Sequence, residues 1–463
     1  MAKNEHLDKL RQLLMRRPFR TAALLKELGV SQSTFSRVWS NIQDGIALGA
    51  GRARQYGLRR HVPGVTTPVP IFQVSAAGQV EPIGYIDPLH DGFYALTPLE
   101  GTDYSIFQGM PFFLRDLRPQ GFLGRLEPGK NGELDLPADI LRWTDEQVLK
   151  YISRRSEHAA GNLIFGNESY ARHLAHAAKA RAILIPHAER AARYPGMAEH
   201  SMQGEPPGSS AGGEQPKFTA VIEQEGDDET IRHVIVKFSP HIDSASGRRW
   251  ADLLICEHLA LETLAAYKIG AARTTILETG GRVFLEVIRF DRVGLHGRLP
   301  MATFAALDGD LGMLDQNWTA VARELGRQEQ LSRGDVQTVE ILDLYGTLIG
   351  NTDKHHGNIA LAWRFDQRHT LLDAYDMLPM MYRPNTHGEI IPRKWEPNLG
   401  ARLELRHLPL CQQMAKEFWQ GVMADHRVSD DFKQNVASPH LSTLRELDRD
   451  SDDEEMQDGQ TMR

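Results

Sequence analysis

The sequence predicts an α+β protein of several domains, in which a small helical module and a β-rich segment precede a larger body. The chain has 463 residues, and a single hydrophobic core stops growing at roughly 250 to 300 residues. The segments "IFQVSAAGQVEPIGYID" and "GFYALTP", residues 71–87 and 92–98, alternate in the way of short antiparallel strands. From about residue 140 onward, helical patterns dominate.

The composition excludes several classes of protein. Apolar residues make up 41% and charged residues 25% of the chain, which is ordinary for a soluble protein. The two cysteines, Cys256 and Cys411, fall in helical patterns, so neither a disulfide framework nor a cysteine-based zinc site is available. The charged N-terminus is unlike a signal peptide, and no window approaches the ~18 apolar residues of a membrane span. We therefore expect a cytoplasmic protein with no membrane partner.

Charge is distributed unevenly along the chain. Residues 1–60 contain twelve Lys or Arg and four Asp or Glu, whereas the whole chain has a net charge of −8. A compact basic module on an acidic body is typical of a module that meets a polyanion. A solvated pair of charged helices would have the same charge, so the charge alone does not distinguish it from a module that binds a polyanion.

The basic module has the pattern of a winged helix-turn-helix over residues 1–62. Helical spacing at 5–16 and in "TAALLKELG" is followed by Gly29 as a C-cap and by Ser31 as the N-cap of a third helix. In such a motif the last helix enters the major groove of duplex DNA. The residues that would face the bases are Gln32, Ser33, Ser36 and Arg37.

A short predicted hairpin follows, in "IALGAGRARQYGLRR". Its Gly-rich, Arg-rich tip carries Arg52 and Arg54, which as a wing would contact phosphate or the minor groove. An ordinary three-helix bundle has the same helix spacing. The coincidence of basic charge, cap, turn and wing favours duplex DNA as a partner.

A candidate phosphoryl-transfer site lies in "LYGTLIGNTDKHHGNIAL", residues 344–361, where polar side chains interrupt an apolar run. The spacing from Asp353 to Asn358 is D-x-x-x-x-N, as in a protein-kinase catalytic loop, where the Asp accepts the hydroxyl proton and the Asn holds magnesium. A predicted hairpin over 359–373 then delivers Asp376 as a second metal-binding carboxylate. Such oxygens are the ligands that Mg²⁺ favours, so we expect ATP and Mg²⁺ as cofactors.

Residues upstream agree with this interpretation. "VIVK" places Lys237 at the end of an apolar strand, and the helix that follows carries Glu257. A strand-end lysine steadies the α and β phosphates of ATP, and a helix glutamate fixes its rotamer. The strand predicted at 286–292 has the position of a hinge that meets adenine.

A Gly-rich stretch, "GSSAGGEQPKF", precedes "VIVK" as a phosphate-covering loop does, although it matches neither common glycine motif. A flexible linker has the same composition. Its two serines, Ser209 and Ser210, are candidates for a phosphorylated switch, because added charge beside the site could expel the loop.

These motifs together resemble the HipA family of bacterial serine/threonine kinase toxins. The likeness rests on "SAGGEQPK" for S-x-x-G-x-Q-P-K, "VIVKF", "CEHLALETL", "RFDR", "NTDKHHGN" for N-x-D-x-H-x-K-N, and "YDMLP", and it spans roughly residues 70–425. The fused basic module is similar to the YjjJ-type branch of the family. The resemblance implies a bilobal protein-kinase-like, HipA-like body that transfers the γ-phosphoryl group of ATP to a protein hydroxyl.

The resemblance also implies a role for each matching residue. Asp353 would be the catalytic base, Asn358 and Asp376 the magnesium ligands, and Ser210 an inhibitory autophosphorylation site. Nucleotide contacts would fall on Gly213, Gln215, Lys217, Lys237, Glu257, Ile288, Arg289, Phe290, Asn351 and His355. The implied partners are an unidentified protein substrate and a HipB-like antitoxin. A homodimer is a further expectation, because winged-helix proteins often dimerise on palindromes.

The chain then divides into five predicted parts. They are a winged helix-turn-helix over residues 1–62, a β-rich subdomain over 63–140, an N-lobe with the ATP loop over 141–290, a helical C-lobe with the catalytic loop over 291–440, and a disordered acidic tail over 441–463.

Two other hypotheses stay open. Gly357 stands where the family has Lys, which removes a cation near the phosphates and favours a transcriptional regulator whose kinase-like body only senses nucleotide. A metal-dependent nuclease would use Asp353, His355 and His356. Adjacent histidines, however, lack the H-x-x-x-H spacing that puts two ligands on one helix face, and this hypothesis leaves the lysine–glutamate pair unexplained. For His356 we expect a structural role.

Overall fold

The computed structural model describes residues 2–100, 104–203, 215–224, 230–313, 315–364, 368–396, 399 and 405–447. Two units emerge from its internal contacts, residues 1–119 with 127–179 and residues 120–126 with 180–463. Both contain helices and sheets, so the α+β class is as predicted. No helix within the described ranges is long and apolar enough to cross a membrane.

The first unit begins with three helices and a small antiparallel sheet. The elements are α1 (Ala2–Leu14), β1 (Phe19–Arg20), α2 (Thr21–Leu28), α3 (Gln32–Trp39), β2 (Gly45–Leu48) and β3 (Gln55–Leu58), with strand order β1-β3-β2. Gly29 ends α2 in the left-handed region at φ 67°, and the Ser31 hydroxyl accepts the Thr34 N–H to begin α3. Both caps are the predicted ones.

The rest of the first unit is a five-stranded sheet with helices. The elements over residues 69–179 are β4 (Val69–Val74), β5 (Val80–Pro88), β6 (Phe93–Pro98), β7 (Ser105–Gln108), α4 (Phe112–Arg115), α5 (Gly121–Arg125), α6 (Glu127–Lys130), α7 (Asp145–Arg155), β8 (Leu163–Phe165) and α8 (Asn167–Lys179). The strand order is β7-β6-β5-β4-β8, and α5 groups with the second unit.

The contacts differ from two predicted domain boundaries. The boundary at 140/141 separates β8 from β4, yet these strands pair through Ile71 and Phe165. The boundary at 62/63 falls within the first unit, where Arg59 forms an ion pair with Asp87 at 2.6 Å. Contacts between segments far apart in sequence leave no local pattern, which is why neither the strand pairing nor the ion pair was predicted.

A second five-stranded sheet forms one part of the second unit. Its elements are β9 (Leu184–Ile185), α9 (Arg190–Met202), β10 (Lys217–Gln224), β11 (Thr230–Phe238), α10 (Ala245–Ala266), β12 (Thr274–Thr279) and β13 (Arg282–Ile288), with strand order β12-β13-β11-β10-β9. Val234, Val236 and Phe238 of β11 pack with Tyr194 of α9 in one core. Because strand side chains alternate, Lys237 faces the other side of the sheet.

The remainder of the second unit is mainly helical. Its elements are β14 (Arg292–Val293), β15 (Gly297–Arg298), β16 (Ala302–Thr303), α11 (Phe304–Leu311), α12 (Trp318–Arg327), α13 (Arg333–Leu348), β17 (Ala360–Ala362), β18 (Thr370–Leu371), α14 (Leu408–Ala424) and α15 (Asp430–Phe432). A π-helical turn, Lys433–Ala437, and a helix over 438–447 close the described chain. The sheet β16-β17-β18 contains the hairpin predicted over 359–373.

The start of the predicted disordered tail is helical instead. Residues 441–447 continue the last helix, and Leu441 and Leu444 are buried. Their spacing of three places both on one helix face, so apolar burial outweighs the acidic composition here. The rest of the predicted tail, 448–463, lies outside the described residues.

Candidate active site

The predicted lysine–glutamate pair is present between β11 and α10. Lys237 donates from Nζ to both carboxylate oxygens of Glu257, at 2.6 and 2.7 Å. Lys237 is 5% exposed and Glu257 is fully buried. A buried charge needs a partner of opposite sign, and this two-oxygen contact fixes the position of the ammonium group.

Asp376 is the third member of this cluster, and its Oδ1 accepts a hydrogen bond from Lys237 Nζ. The preceding residues are held in place, because Ala374 donates to the Gly270 carbonyl and accepts from Ala272, each at 2.9 Å. Asp376 itself has φ 53°, a left-handed conformation that costs energy for a residue other than glycine. Strain of this kind persists only where the surroundings impose it.

The electrostatics of the cluster follow from its burial. Burial would raise the pKa of Asp376, but Lys237, Lys217 and His355 outweigh it and lower that pKa to about 2. Burial opposes the charge on Lys237, yet the two carboxylates raise the pKa of its ammonium group. Burial raises the pKa of Glu257. One ammonium between two carboxyl groups leaves the cluster rich in acidic groups, which suits a cation.

Asn351 joins the catalytic loop to Asp376. Its Oδ1 accepts the Asp353 N–H at 3.0 Å, and its Nδ2 donates to the Asp376 carbonyl at 3.3 Å. The residue is 4% exposed. The resemblance assigned Asn351 to the nucleotide, which stays a prediction; in the structure its amide binds these two backbone groups and holds two candidate catalytic residues side by side.

The two ends of the D-x-x-x-x-N motif are also connected. Asn358 donates from Nδ2 to the Asp353 carbonyl at 2.9 Å, so its amide oxygen is the atom left for a cation. The Asp353 carboxylate is half-buried, and it makes no hydrogen bond or ion pair with any residue that the structure describes. An unengaged carboxylate of this kind can accept a proton.

Lys354 anchors the catalytic loop, a role that sequence reasoning missed. Its Nζ donates to the Asp343 carbonyl, to Asp343 Oδ1 and to Thr347 Oγ1, at 2.6, 2.5 and 2.7 Å. The other oxygen of Asp343 accepts from the N–H and hydroxyl of Thr319. The loop is therefore tied to α13 and α12. The available sequence signal for this contact was a pair of opposite charges, Asp343 and Lys354, in a largely apolar stretch.

The histidines of the loop have different environments. His356 is buried, and its Nε2 bonds the Gln316 carbonyl at 2.9 Å, the structural role expected. His355 is exposed, and its Nδ1 accepts the Gly357 N–H at 3.0 Å. A Cβ at position 357 would lie 2.9 Å from the His355 ring. A side chain there would have to displace the imidazole.

The nuclease hypothesis gains no support from this geometry. Asp353, His355 and His356 do not form a group whose donor atoms could share one metal ion; among the described residues, the single group of that kind lies in the first unit.

The candidate hinge lies at the end of β13. The predicted strand over 286–292 ends at Ile288. The Arg289 guanidinium donates to both carboxylate oxygens of Asp291, at 2.9 and 2.8 Å. Phe290 packs against Tyr375 with ring centroids 5.6 Å apart, and the Tyr375 hydroxyl donates to the Gly357 carbonyl at 2.7 Å. These contacts join the hinge to the catalytic loop.

The predicted ATP loop is described only at its end. Gln215 is buried, and its Nε2 has no hydrogen-bond partner within the described residues. Lys217 lies opposite Lys237 in the β10–β11 register. Ser209, Ser210 and Gly213 lie outside the described residues.

The predicted DNA contacts share one feature, which is that all are exposed. They are Gln32, Ser33, Ser36 and Arg37 on α3, and Arg52 and Arg54 between β2 and β3. The opposite face of α3 buries Phe35 and Val38. The turn between β2 and β3 is fixed by Tyr104, whose hydroxyl donates to the Ala53 carbonyl at 2.8 Å.

Comparison with known proteins gives consistent matches along the chain. The family model of the YjjJ-like toxin middle domain matches residues 65–174, and that of the HipA-like C-terminal domain matches residues 209–429. Toxin YjjJ of Escherichia coli strain K12 is 34% identical over 449 residues, which cover 96% of this chain and 98% of that protein.

Two solved structures are more distant. A chain from the complex of Shewanella oneidensis MR-1 HipA, HipB and operator DNA has a TM-score of 0.46 and 13% identity, covering 81% of this chain and 95% of its own. The Helicobacter pylori proinflammatory kinase CtkA has a TM-score of 0.27 and 13% identity, covering 50% and 92%. Both TM-scores are below 0.5.

Proposed function

The chain belongs to the HipA-like family of toxins, and from this premise we propose that it is a DNA-binding serine/threonine protein kinase that acts as the toxin of a toxin–antitoxin system. The observation that carries the kinase proposal is the cluster of Lys237, Glu257 and Asp376. Asp353, whose carboxylate has no partner within the described residues, is connected to this cluster through its backbone N–H, which donates to the Asn351 amide; that amide in turn donates to the Asp376 carbonyl. Phosphoryl transfer needs little covalent chemistry from the protein, so such positioning is the main requirement.

The residues present fit ATP and Mg²⁺. The Asp376 carboxylate and the Asn358 amide oxygen are oxygen donors of the kind that Mg²⁺ prefers, and the acid-rich cluster suits its charge. When bound, Mg²⁺ would neutralise charge that develops on the transferred phosphoryl group. The buried Gln215 amide, without a partner in the described residues, is a further candidate contact for the nucleotide.

Each residue then has a definite task. Lys237 would exchange its contact with Asp376 for the α and β phosphates while Glu257 keeps its rotamer. Asp353 would accept the proton of the substrate hydroxyl as that oxygen attacks the γ-phosphorus. The tether to α13 through Lys354 keeps the loop in this geometry. Ser210 would receive a phosphoryl group in an inhibitory autophosphorylation.

DNA binding is proposed for residues 1–62. The exposed polar face of α3 would read bases in the major groove, and Arg52 and Arg54 would contact the backbone. A HipB-like antitoxin is proposed on the basis of the family resemblance, and a homodimer because winged-helix proteins often dimerise on palindromes.

The first experiment incubates the purified chain with Mg²⁺ and γ-labelled ATP, and locates any phosphate by mass spectrometry. We expect label on Ser210, absent in Asp353→Ala. Expression of the wild type, but not of Asp353→Ala or Asp376→Ala, should arrest cell growth.

Retention of label or growth arrest in both variants would contradict the kinase proposal. Measurable ATP binding with no label on any residue would instead favour the nucleotide-sensing regulator, which the glycine at position 357 supports.

A further inference from the structure

A second cluster of ionisable side chains lies in the first unit, between the loop after α7 and the helix α8. One oxygen of Glu157 and one ring nitrogen each of His158 and His176 lie within 4.8 Å of one another. The two imidazole rings stack with centroids 4.5 Å apart. The proposed phosphoryl transfer uses none of these residues.

The loop that carries Glu157 is fixed on α8. The Ser156 N–H donates to the Ser169 hydroxyl at 2.9 Å, and that hydroxyl donates to the Ile152 carbonyl at 3.1 Å. Arg172 donates from Nε to Glu157 Oε1 at 2.5 Å. Because these contacts already order the loop, a ligand bound there would pay little additional entropy.

The two elements bring the donors together in a simple way. Arg172 and His176 are four residues apart on α8, so they lie on one face of the helix. The Arg172 guanidinium, which binds Glu157, therefore places the Glu157 carboxylate beside the His176 ring. His158 and His176 are exposed, while Glu157 is 2% exposed, so an ion from solvent can reach the imidazoles over a fixed carboxylate.

We propose that Glu157, His158 and His176 bind a divalent transition-metal ion, and that Zn²⁺ is the ion the site suits best. Two imidazole nitrogens and a carboxylate oxygen are a common zinc donor set, with a fourth position left to water. Bonds of about 2.0 to 2.2 Å in tetrahedral geometry put donor atoms about 3.4 Å apart. The three donors therefore need to approach by no more than about 1.5 Å, which rotamer changes of two exposed histidines can supply.

The site differs chemically from the proposed ATP site. Mg²⁺ prefers oxygen ligands in octahedral geometry and is a poor match for two imidazoles. Zinc would join the loop after α7 to α8, and binding only to the folded state would stabilise the first unit. Because this inference does not use phosphoryl transfer, it can fail or succeed independently of the kinase proposal.

The test uses full-length protein without a histidine tag, stripped with chelator and titrated with ZnCl₂ by calorimetry. We expect one zinc ion per chain with micromolar or tighter affinity, and loss of that binding in the double variant His158→Gln with His176→Gln. The matched control is His61→Gln, an exposed histidine of the same unit outside the cluster. It should bind zinc as the wild type does.

Two further measurements separate a specific site from unspecific binding. Titration with Co²⁺ should produce the visible absorption of a tetrahedral complex in the wild type and in His61→Gln only. Zinc should raise the melting temperature of these two proteins and leave that of the double variant unchanged. The proposal is overturned if the wild type takes up no stoichiometric zinc, or if the double variant binds it equally well.

Discussion

The exposed face of α3 and the buried cluster around Lys237 place candidate functional residues in opposite environments. On α3, Ser33, Ser36 and Arg37 are exposed, and the side-chain hydrogen bonds of Ser33 and Arg37 reach only the neighbouring Ser31 and Thr34. In the second unit, Lys237 and Glu257 are buried and rely on each other and on Asp376.

The difference decides how function and stability are connected. A surface residue can change with little effect on folding, so binding can be altered alone. Removing one charge of a buried pair leaves its partner uncompensated, so any loss of activity is accompanied by loss of stability. Asp353 is the informative exception, because it lies beside the buried cluster but is only half-buried.

The largest effect is expected from Asp353→Asn. The amide cannot accept the hydroxyl proton, so the autophosphorylation rate should fall about 10³-fold or more. The urea midpoint should stay at the wild-type value, because the carboxylate has no partner to lose within the described residues. A large drop in stability would mean that Asp353 behaves like the buried residues Lys237 and Glu257, which would contradict the distinction drawn between them.

Lys237→Met should cost stability as well as activity. It leaves Glu257 and Asp376 without their shared ammonium, and such a loss destabilises by about 3 to 5 kcal/mol. Lys217→Met, at the facing position of β10, is the matched control with a half-buried lysine and should cost less than about 1 kcal/mol.

Tryptophan fluorescence is the suitable probe for this comparison, because five of the seven tryptophans belong to the second unit. Equal losses of unfolding free energy in the two lysine variants would show that burial does not distinguish them.

His440 extends the comparison to pH. Its Nε2 bonds the Leu348 carbonyl and its Nδ1 the Tyr382 hydroxyl, each at 2.8 Å, at the end of the helix that leads into the catalytic loop. Burial lowers the pKa of His440 from 6.5 to about 3. The folded state therefore keeps the ring neutral, while the unfolded chain takes up a proton below about pH 6.5.

The stability that His440 contributes is thus complete above about pH 6.5 and is lost as the pH falls toward 3. Between pH 6 and 4 the wild type should lose about 1.4 kcal/mol per pH unit more than His440→Gln does. Urea unfolding of both proteins across this range measures the difference in their unfolding free energies. The other titrating groups are the same in both proteins, so their contributions cancel. Parallel curves for the two proteins would mean that the ring can be protonated in the fold.

The predictable part of the site is the part carried by short-range spacing. Asp353, Asn358 and Asp376 follow one another in order, and the strand and helix patterns were enough to pair Lys237 with Glu257. The links of Asn351 and Lys354 were not predictable, because a motif gives the residue type but not which backbone group its side chain binds.

Contacts between segments that are separate in the sequence could not be predicted either. The pairing of β8 with β4 and the meeting of His158 with His176 depend on how separate segments pack. The strongly acidic composition of the tail predicted disorder, although Leu441 and Leu444 at its start are buried.

The smallest effect on folding is expected on α3. Arg37→Ala should leave the free energy of unfolding within about 0.5 kcal/mol of the wild type, because the side chain is exposed. It should weaken specific DNA binding about tenfold and relax sequence preference, as loss of a base contact does. Arg52→Ala should weaken binding to all sequences alike and reduce the salt dependence, since a phosphate contact carries no base information.

Lys26→Ala is the control, since it removes an exposed positive charge from α2 instead of α3. Fluorescence anisotropy with selected and scrambled duplexes at several salt concentrations separates the three variants. If Arg37→Ala behaves like Lys26→Ala on every duplex, α3 is not the reading helix and its exposed polar face is an ordinary solvated surface. A different preference among duplexes for Arg37→Ala alone would mean that the first unit changes DNA recognition without any cost to its fold, which the buried cluster of the second unit cannot do.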